Sequence, residues 1–368
     1  MPSTKAGQKR RGSTDSPGLG PSQKVSRTSE KANAASAAAA ANSNAGGSSA
    51  LAQLAKLSTI VADSADFEAI KEFSPTDATT NPTLVLQAVH NPKYKHVLEK
   101  AVKEAKEATK GKPADVTVED AVDRVLVFFG MELLEIIPGL VSTEIPADLS
   151  FDQEGSVERA RRIISLYEEK GISRERILIK IAATWEGIQA AKQLKEENIN
   201  CNITLLFSLC QAIAASDAGA YLVSPFVGRI LDWYKLKDPK ASFSGADDPG
   251  VKSVRQIYNY FKHFGSKTTV MAASFRNTDE ILHLAGCDKL TISPKLLEEL
   301  NKLKDKEVST RLSVQLAAKE KIQKLDINEK KFRWMLNEDA MATEKLAEGI
   351  RNFSADMNKL KELIKQHM

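Results

Sequence analysis

From residue 51 onward, short runs of β-branched and apolar residues alternate with longer stretches of helical apolar spacing. The short runs fall at residues 58–62, 77–80, 140–143, 177–181, 200–205, 220–223, 268–272 and 289–292. Apolar side chains recur three and four positions apart over residues 157–170, 185–197, 209–218 and 279–285, the period of a helix with one buried face. Gly171, Gly219 and Gly286 stand where such helices should stop, a place commonly taken by a left-handed residue. Strands separated by helices predict parallel βαβ units. Eight of them predict an α/β fold, a closed (β/α)8 TIM barrel, although a large doubly wound sheet shows much the same periodicity. Residues 83–139 and 227–267 are each too long for one helix. Helical spacing at 312–318, 332–336 and 344–364 predicts extra C-terminal helices packed across the barrel.

Charge divides the chain at about residue 50. Residues 1–50 carry seven basic and two acidic side chains of the chain's 52 and 48, so the remainder holds 45 and 46 and is near neutral. This first segment has no Phe, Tyr or Trp and almost no large apolar residue, too little to offset the entropy of ordering it. It is expected to be a disordered basic, Ser/Ala-rich tail, with residues 51–368 forming the folded domain. Lys9-Arg10-Arg11 is a candidate nuclear-import element; otherwise the expected location is the cytoplasm. A transit peptide is not expected, because the first ten residues lack an apolar stripe.

Several function classes are excluded on composition. No apolar run approaches the roughly 20 residues of a membrane span, so no membrane partner is expected. Three scattered cysteines argue against a disulfide framework. Five dispersed histidines and the lack of any Cys-x-x-Cys offer no metal cluster, and no Gly-rich phosphate loop suggests a nucleotide, so no cofactor is expected. Nucleic acid is not an expected partner either, since residues 255–263, where Tyr and Phe alternate with basic residues, read better as an amphipathic helix.

In a (β/α)8 barrel, chemistry gathers where strands end and βα loops begin. Here those positions are polar: Asp63, Asn81, Glu144, Lys180, Asn202 with Thr204, Ser224, Ser274 with Arg276, and Ser293. Lys180 lies in the run Ile177-Leu178-Ile179-Lys180-Ile181-Ala182. Aliphatic neighbours are expected to desolvate it, which disfavours the ammonium and leaves free amine to attack a carbonyl and form a Schiff base. A lysine at a strand end can equally snorkel to solvent. Asp63 and Glu144 are candidate proton shuttles at the same mouth, although Asp63 can also cap the helix after it and Asn81 can be only a turn residue before Pro82. Asn202 and Thr204 alternate along one strand and therefore share a face. Arg229 and Arg276 are candidate phosphate grips, since a guanidinium can hold phosphate with two parallel hydrogen bonds. The plain alternative for each is a surface ion pair.

Longer motifs give these positions a context. Residues 77–82 (DATTNP), 141–144 (VSTE), 176–180 (RILIK), 199–208 (INCNITLLFS), 224–234 (SPFVGRILDWY) and 273–277 (ASFRN) are, in this order, similar to those of transaldolases. The resemblance runs from about Val61 to the C-terminus. It implies a class I aldolase barrel that works without a cofactor in the pentose phosphate pathway. Such an enzyme moves a dihydroxyacetone unit from sedoheptulose 7-phosphate to glyceraldehyde 3-phosphate, giving erythrose 4-phosphate and fructose 6-phosphate. Its partners are then phosphorylated ketose and aldose sugars, and the family's usual state is a homodimer. Matched by motif, Lys180 is the Schiff-base lysine, Asp63 takes the proton of the donor's C4 hydroxyl, and Glu144 with Thr204 holds the water that carries protons. Asn81, Asn202 and Ser224 position sugar hydroxyls, Arg229 and Arg276 bind the terminal phosphate, and Phe226 is the aromatic beside the lysine. Fructose 6-phosphate aldolases typically carry Tyr and Gln at the positions of Phe226 and Glu144, so these two residues favour transfer. After Glu144 the sequence departs from the family's usual Val-Asp-Ala-Arg and reads Ile145-Pro146-Ala147-Asp148, which replaces a basic residue by an acid and adds a proline beside the strand end that carries Glu144.

Overall fold

The computed structural model describes residues 48–304 and 306–368. The basic tail, with Lys9-Arg10-Arg11, lies almost wholly outside the described residues. Among these, eight parallel strands close into a barrel in sequence order. They are β1 (Thr59–Asp63), β2 (Asp77–Thr79), β3 (Val141–Glu144), β4 (Ile177–Ala182), β5 (Cys201–Leu206), β6 (Leu222–Pro225), β7 (Thr269–Ala272) and β8 (Lys289–Ile292). The closing pair joins β1 to β8, with Val61 opposite Thr291. The closed barrel therefore replaces the open doubly wound alternative.

Several strands lie one or two residues later than the apolar pattern predicts. Asp63, Glu144 and Ser224 are thus strand residues rather than the first loop residues. The ladder continues through them because their side chains face a polar interior and do not compete with it. Helix ends follow local chemistry. Asp152 accepts from Gly155 N and starts its helix at Gln153, earlier than the apolar spacing alone suggests. Gly171 and Gly219, at φ +81° and +78°, close helices as expected. Residues 312–318 form only one turn, Val314–Ala317.

Strand side chains divide by parity. Ile177, Ile179, Ile181, Ile203, Val223 and Val270 point outward into the shell packed by the surrounding helices. Inward-pointing residues form layers. Val61, Leu178, Leu222 and Met271 make an apolar floor. Above it lie the polar side chains of the site. Over these, Ala182, Leu205, Phe226 and Ala273 meet Met341, Leu346, Ile350 and Phe353 of the C-terminal helix, Ala340–Gln366. Of the expected C-terminal helices, this one packs on β5 and on the helix Val227–Lys237, roofing the barrel mouth. The preceding helix, Glu329–Glu338, packs instead on the outer helices Trp185–Glu196 and Leu209–Asp217.

The outer shell also holds the site from behind. Thr143, the outward neighbour of Glu144, shares a 2.7 Å hydrogen bond with the fully buried Tyr167 hydroxyl. A Cβ on Gly130 would lie 1.7 Å from that hydroxyl oxygen. Gly130→Ala is expected to lower stability by about 1–3 kcal/mol, the range for overpacking a core, read as a lower denaturant midpoint.

Candidate active site

Lys180 lies in the middle of β4, with Glu144 on one side in register and Asn202 on the other. Its chain neighbours Ile179 and Ile181 face outward and do not surround the amine. Desolvation comes from the barrel: the apolar floor beneath, the roof above, and closure of the sheet around it. Lys180 is 4% exposed, so it does not snorkel. The Nζ donates to the Thr80 carbonyl at 3.0 Å and sits 2.9 Å from Glu144 Oε2. That oxygen is within ion-pair distance but off a hydrogen-bonding direction, and it has no hydrogen-bond partner among the described residues.

Asp63 shares the pocket with Lys180. It accepts from Thr79 Oγ1 at 3.0 Å, and Thr79 in turn meets Thr291 Oγ1 at 2.9 Å. The helix after β1 is capped by Asp66, not Asp63. Burial raises the carboxyls of both Asp63 and Glu144 above the ordinary carboxylate range, and the Lys180 charge opposes this in each case. Two buried acids that share one cation are a common arrangement where protons must move near neutral pH.

The remaining polar positions separate into those that face the pocket and those that support it. Asn81 caps the helix Pro82–Val89 through its Oδ1, which accepts from Leu84 N at 3.0 Å, while the residue also lines the pocket. Ser224 lines it too and donates to Asn202 Oδ1 at 2.6 Å. Asn202, fully buried, donates onward to Ser142 Oγ at 3.0 Å, so its amide links Ser224 to Ser142 across the strands. Thr204 is fully buried, one pleat above Asn202, and its Oγ1 has no partner among the described residues.

Phe226 and Arg229 line the pocket mouth. The Arg229 guanidinium lies 4.9 Å from the Phe226 ring centre. Its pKa is lowered, first by burial and then by the nearby Arg276 charge. Arg276 is exposed on the rim and bound to Asp232 at 2.6 Å, so the surface ion pair weighed from sequence is formed here. Its loop is held from below by Glu280, which accepts from the Arg276 N–H at 2.7 Å and whose carboxyl burial pushes up to about 7. Ser274 lines the pocket at φ +62°. The departure at Ile145-Pro146-Ala147-Asp148 forms a 3-10 turn, Ala147–Leu149, against the C-terminal helix, and leaves Glu144 beside Lys180. The pocket encloses about 350 Å3 of unfilled space, part of it open to solvent.

Sequence reasoning did not single out Thr79, Thr291, Ser142 or Phe353. Thr79 and Ser142 share a strand face with Asp77 and Glu144, so period-2 alternation could have found them. Thr291 needed the closing register, and Phe353 carries no local signal.

Residues 60–364 match the model of the transaldolase/fructose-6-phosphate aldolase family. A transaldolase of Rattus norvegicus is 54% identical over 321 residues, covering 87% of this chain and 94% of the rat protein. A transaldolase of Shewanella loihica is 54% identical over 87% of this chain and 99% of its own. A probable transaldolase of Drosophila melanogaster is 54% identical over 87% and 96%. With a closed eight-stranded barrel and a buried strand lysine beside Glu144 in a pocket that Asp63 also lines, the chain belongs to the transaldolase/fructose-6-phosphate aldolase family.

Proposed function

We propose that the chain is a transaldolase in which Lys180 carries a dihydroxyacetone unit from sedoheptulose 7-phosphate to glyceraldehyde 3-phosphate. The amine attacks the ketose C2 carbonyl, and loss of water from the carbinolamine leaves an iminium. Asp63 takes the C4 hydroxyl proton, the C3–C4 bond breaks, and its electron pair flows into the iminium to leave an enamine. Erythrose 4-phosphate departs. The enamine carbon then adds to the incoming aldehyde, whose oxygen takes back the proton, and hydrolysis of the new iminium releases fructose 6-phosphate.

One observation carries this reading: an amine 4% exposed lies 2.9 Å from one buried acid and shares its pocket with another. Glu144 Oε2 and Thr204 Oγ1 are two of the buried side-chain atoms without a hydrogen-bond partner among the described residues, a suitable seat for the water that leaves and returns in the carbinolamine step. Phe226 places an apolar ring, with no hydroxyl to donate, at the pocket wall, which supports transfer over simple release of dihydroxyacetone. A homodimer in the cytoplasm belongs to the same reading, on the strength of the family resemblance.

Borohydride added with fructose 6-phosphate should fix the three-carbon unit on Lys180, located by peptide mass. No trapped adduct would reject the mechanism, and free dihydroxyacetone formed without an acceptor would mark an aldolase. The phosphate assignment makes a separate prediction. Arg229→Lys loses the forked grip, and KM for fructose 6-phosphate should rise roughly 10- to 100-fold, as for loss of a charged hydrogen bond. Dihydroxyacetone transfer to unphosphorylated glyceraldehyde should change far less in its acceptor KM. Equal losses for both would reject the assignment.

A further inference from the structure

Arg229 and Arg276 differ in how they are held. Arg276 is tied to a carboxylate at the surface. Arg229 is half-buried and makes no ion pair or hydrogen bond among the described residues. Two aromatic rings hold it instead. Its guanidinium carbon is 4.9 Å from the centre of Phe226 and 5.2 Å from the centre of Phe353. Phe353 is 1% exposed and belongs to the C-terminal helix. Three acids act on its charge from a distance, Glu144 most, then Asp63, then Glu348 of the same helix, which is itself paired with Lys345 at 3.0 Å. Gly349 lets that helix approach closely: a Cβ there would lie 2.6 Å from Leu205 Cδ2 and 3.5 Å from Arg229 Nη1.

We infer that Phe353 is a positioning residue for anion binding, clamping Arg229 against Phe226 so that a guanidinium paired with no carboxylate faces the incoming sugar phosphate. Two rings satisfy a cation through their faces without supplying an acceptor that the ligand must displace. They also remove the rotamer freedom that Arg229 would otherwise lose on binding. Arg276 must share its guanidinium with Asp232, whereas Arg229 keeps all its donors for the phosphate. The inference rests on the reading of Arg229 as a phosphate grip, and it adds a residue from the far end of the chain to the specificity of the site.

The experiment compares Phe353→Leu, which keeps an apolar filler but removes the π face, with Phe353→Trp, which keeps the face. Inorganic phosphate serves as probe, its competitive inhibition constant measured against fructose 6-phosphate. For Phe353→Leu, the phosphate inhibition constant and KM for fructose 6-phosphate should each rise about five- to tenfold, the scale of a partly desolvated cation–π contact. Its kcat should stay within about twofold, because the reacting atoms are untouched. Acceptor KM for unphosphorylated glyceraldehyde should not move, and Phe353→Trp should restore most of the phosphate affinity.

A merely structural role would impair the Leu and Trp variants alike, or phosphorylated and unphosphorylated substrates alike. Either result, or an unchanged phosphate constant in Phe353→Leu, overturns the proposal. Should the Leu variant not fold, Phe353→Met carries the same expectations. Borohydride trapping on the unmodified protein keeps the two readings apart. A trapped Lys180 with an unshifted phosphate constant sinks only the clamp, whereas no trapped Lys180 sinks the reaction beneath it.

Discussion

Lys180→Met should lose dihydroxyacetone transfer by roughly 10^4-fold or more, the scale seen when a covalent nucleophile is removed. Methionine fits the space of the lysine stem and suits an apolar floor, so folding should survive. The change also removes the cation beside Glu144 and Asp63, so both acids should become harder to ionise. This effect runs with the loss of the nucleophile. Borohydride with fructose 6-phosphate should leave the variant unlabelled at every position. Residual activity above about 1% would mean that another group carries the three-carbon unit, since a lone amine has no substitute in iminium chemistry.

Asp63→Asn should separate two steps that Lys180→Met removes together. The amide keeps the size of the carboxylate and an oxygen to accept from Thr79 Oγ1, which now donates at 3.0 Å. Carbinolamine and iminium formation do not need this group, so borohydride should still label Lys180. Cleavage of the C3–C4 bond needs a base for the C4 hydroxyl, and turnover should fall by about 10^2- to 10^4-fold, the usual contribution of a general base. The pH profile adds a second readout. Burial raises the Asp63 carboxyl above its ordinary range, and the base works only when ionised. Turnover by the unmodified protein should therefore fall as pH drops through that raised value, at higher pH than for a solvated aspartate. In Asp63→Asn the part of the acid limb due to Asp63 should vanish. A variant that neither labels nor turns over would show that Asp63 serves imine formation instead.

How much of this was legible from sequence depends on which contacts are local. The eight strands show as apolar runs because each fills an outward layer with residues such as Ile179 and Ile203. Lys180 stands out for the same reason: a cation in an alternating run must face the barrel axis if the isoleucines face the helices. The source of its desolvation is not local. The isoleucines beside it in sequence point away, and the residues that dry the site, Leu178 beneath and the C-terminal helix above, come from parity and tertiary packing. Asp63 was readable as a strand-end acid but equally as a helix cap, and only the placement of Asp66 as the cap decides between them. The Arg276–Asp232 pair joins residues 44 positions apart on neighbouring βα units. No single-strand pattern signals it. Phe353 is farther still, one aromatic on an amphipathic helix, indistinguishable in sequence from any other core contact.

The roof has a consequence for how the molecule comes into being. Its parts belong to residues 340–366, while the amine, both acids and Arg229 lie well before them and are made first. A chain halted after β8 has every reacting group but leaves their chamber wet. Catalytic competence thus arrives only once residues 340–366 are made, and a stop codon just before them should leave sugars unchanged although all eight strands are present.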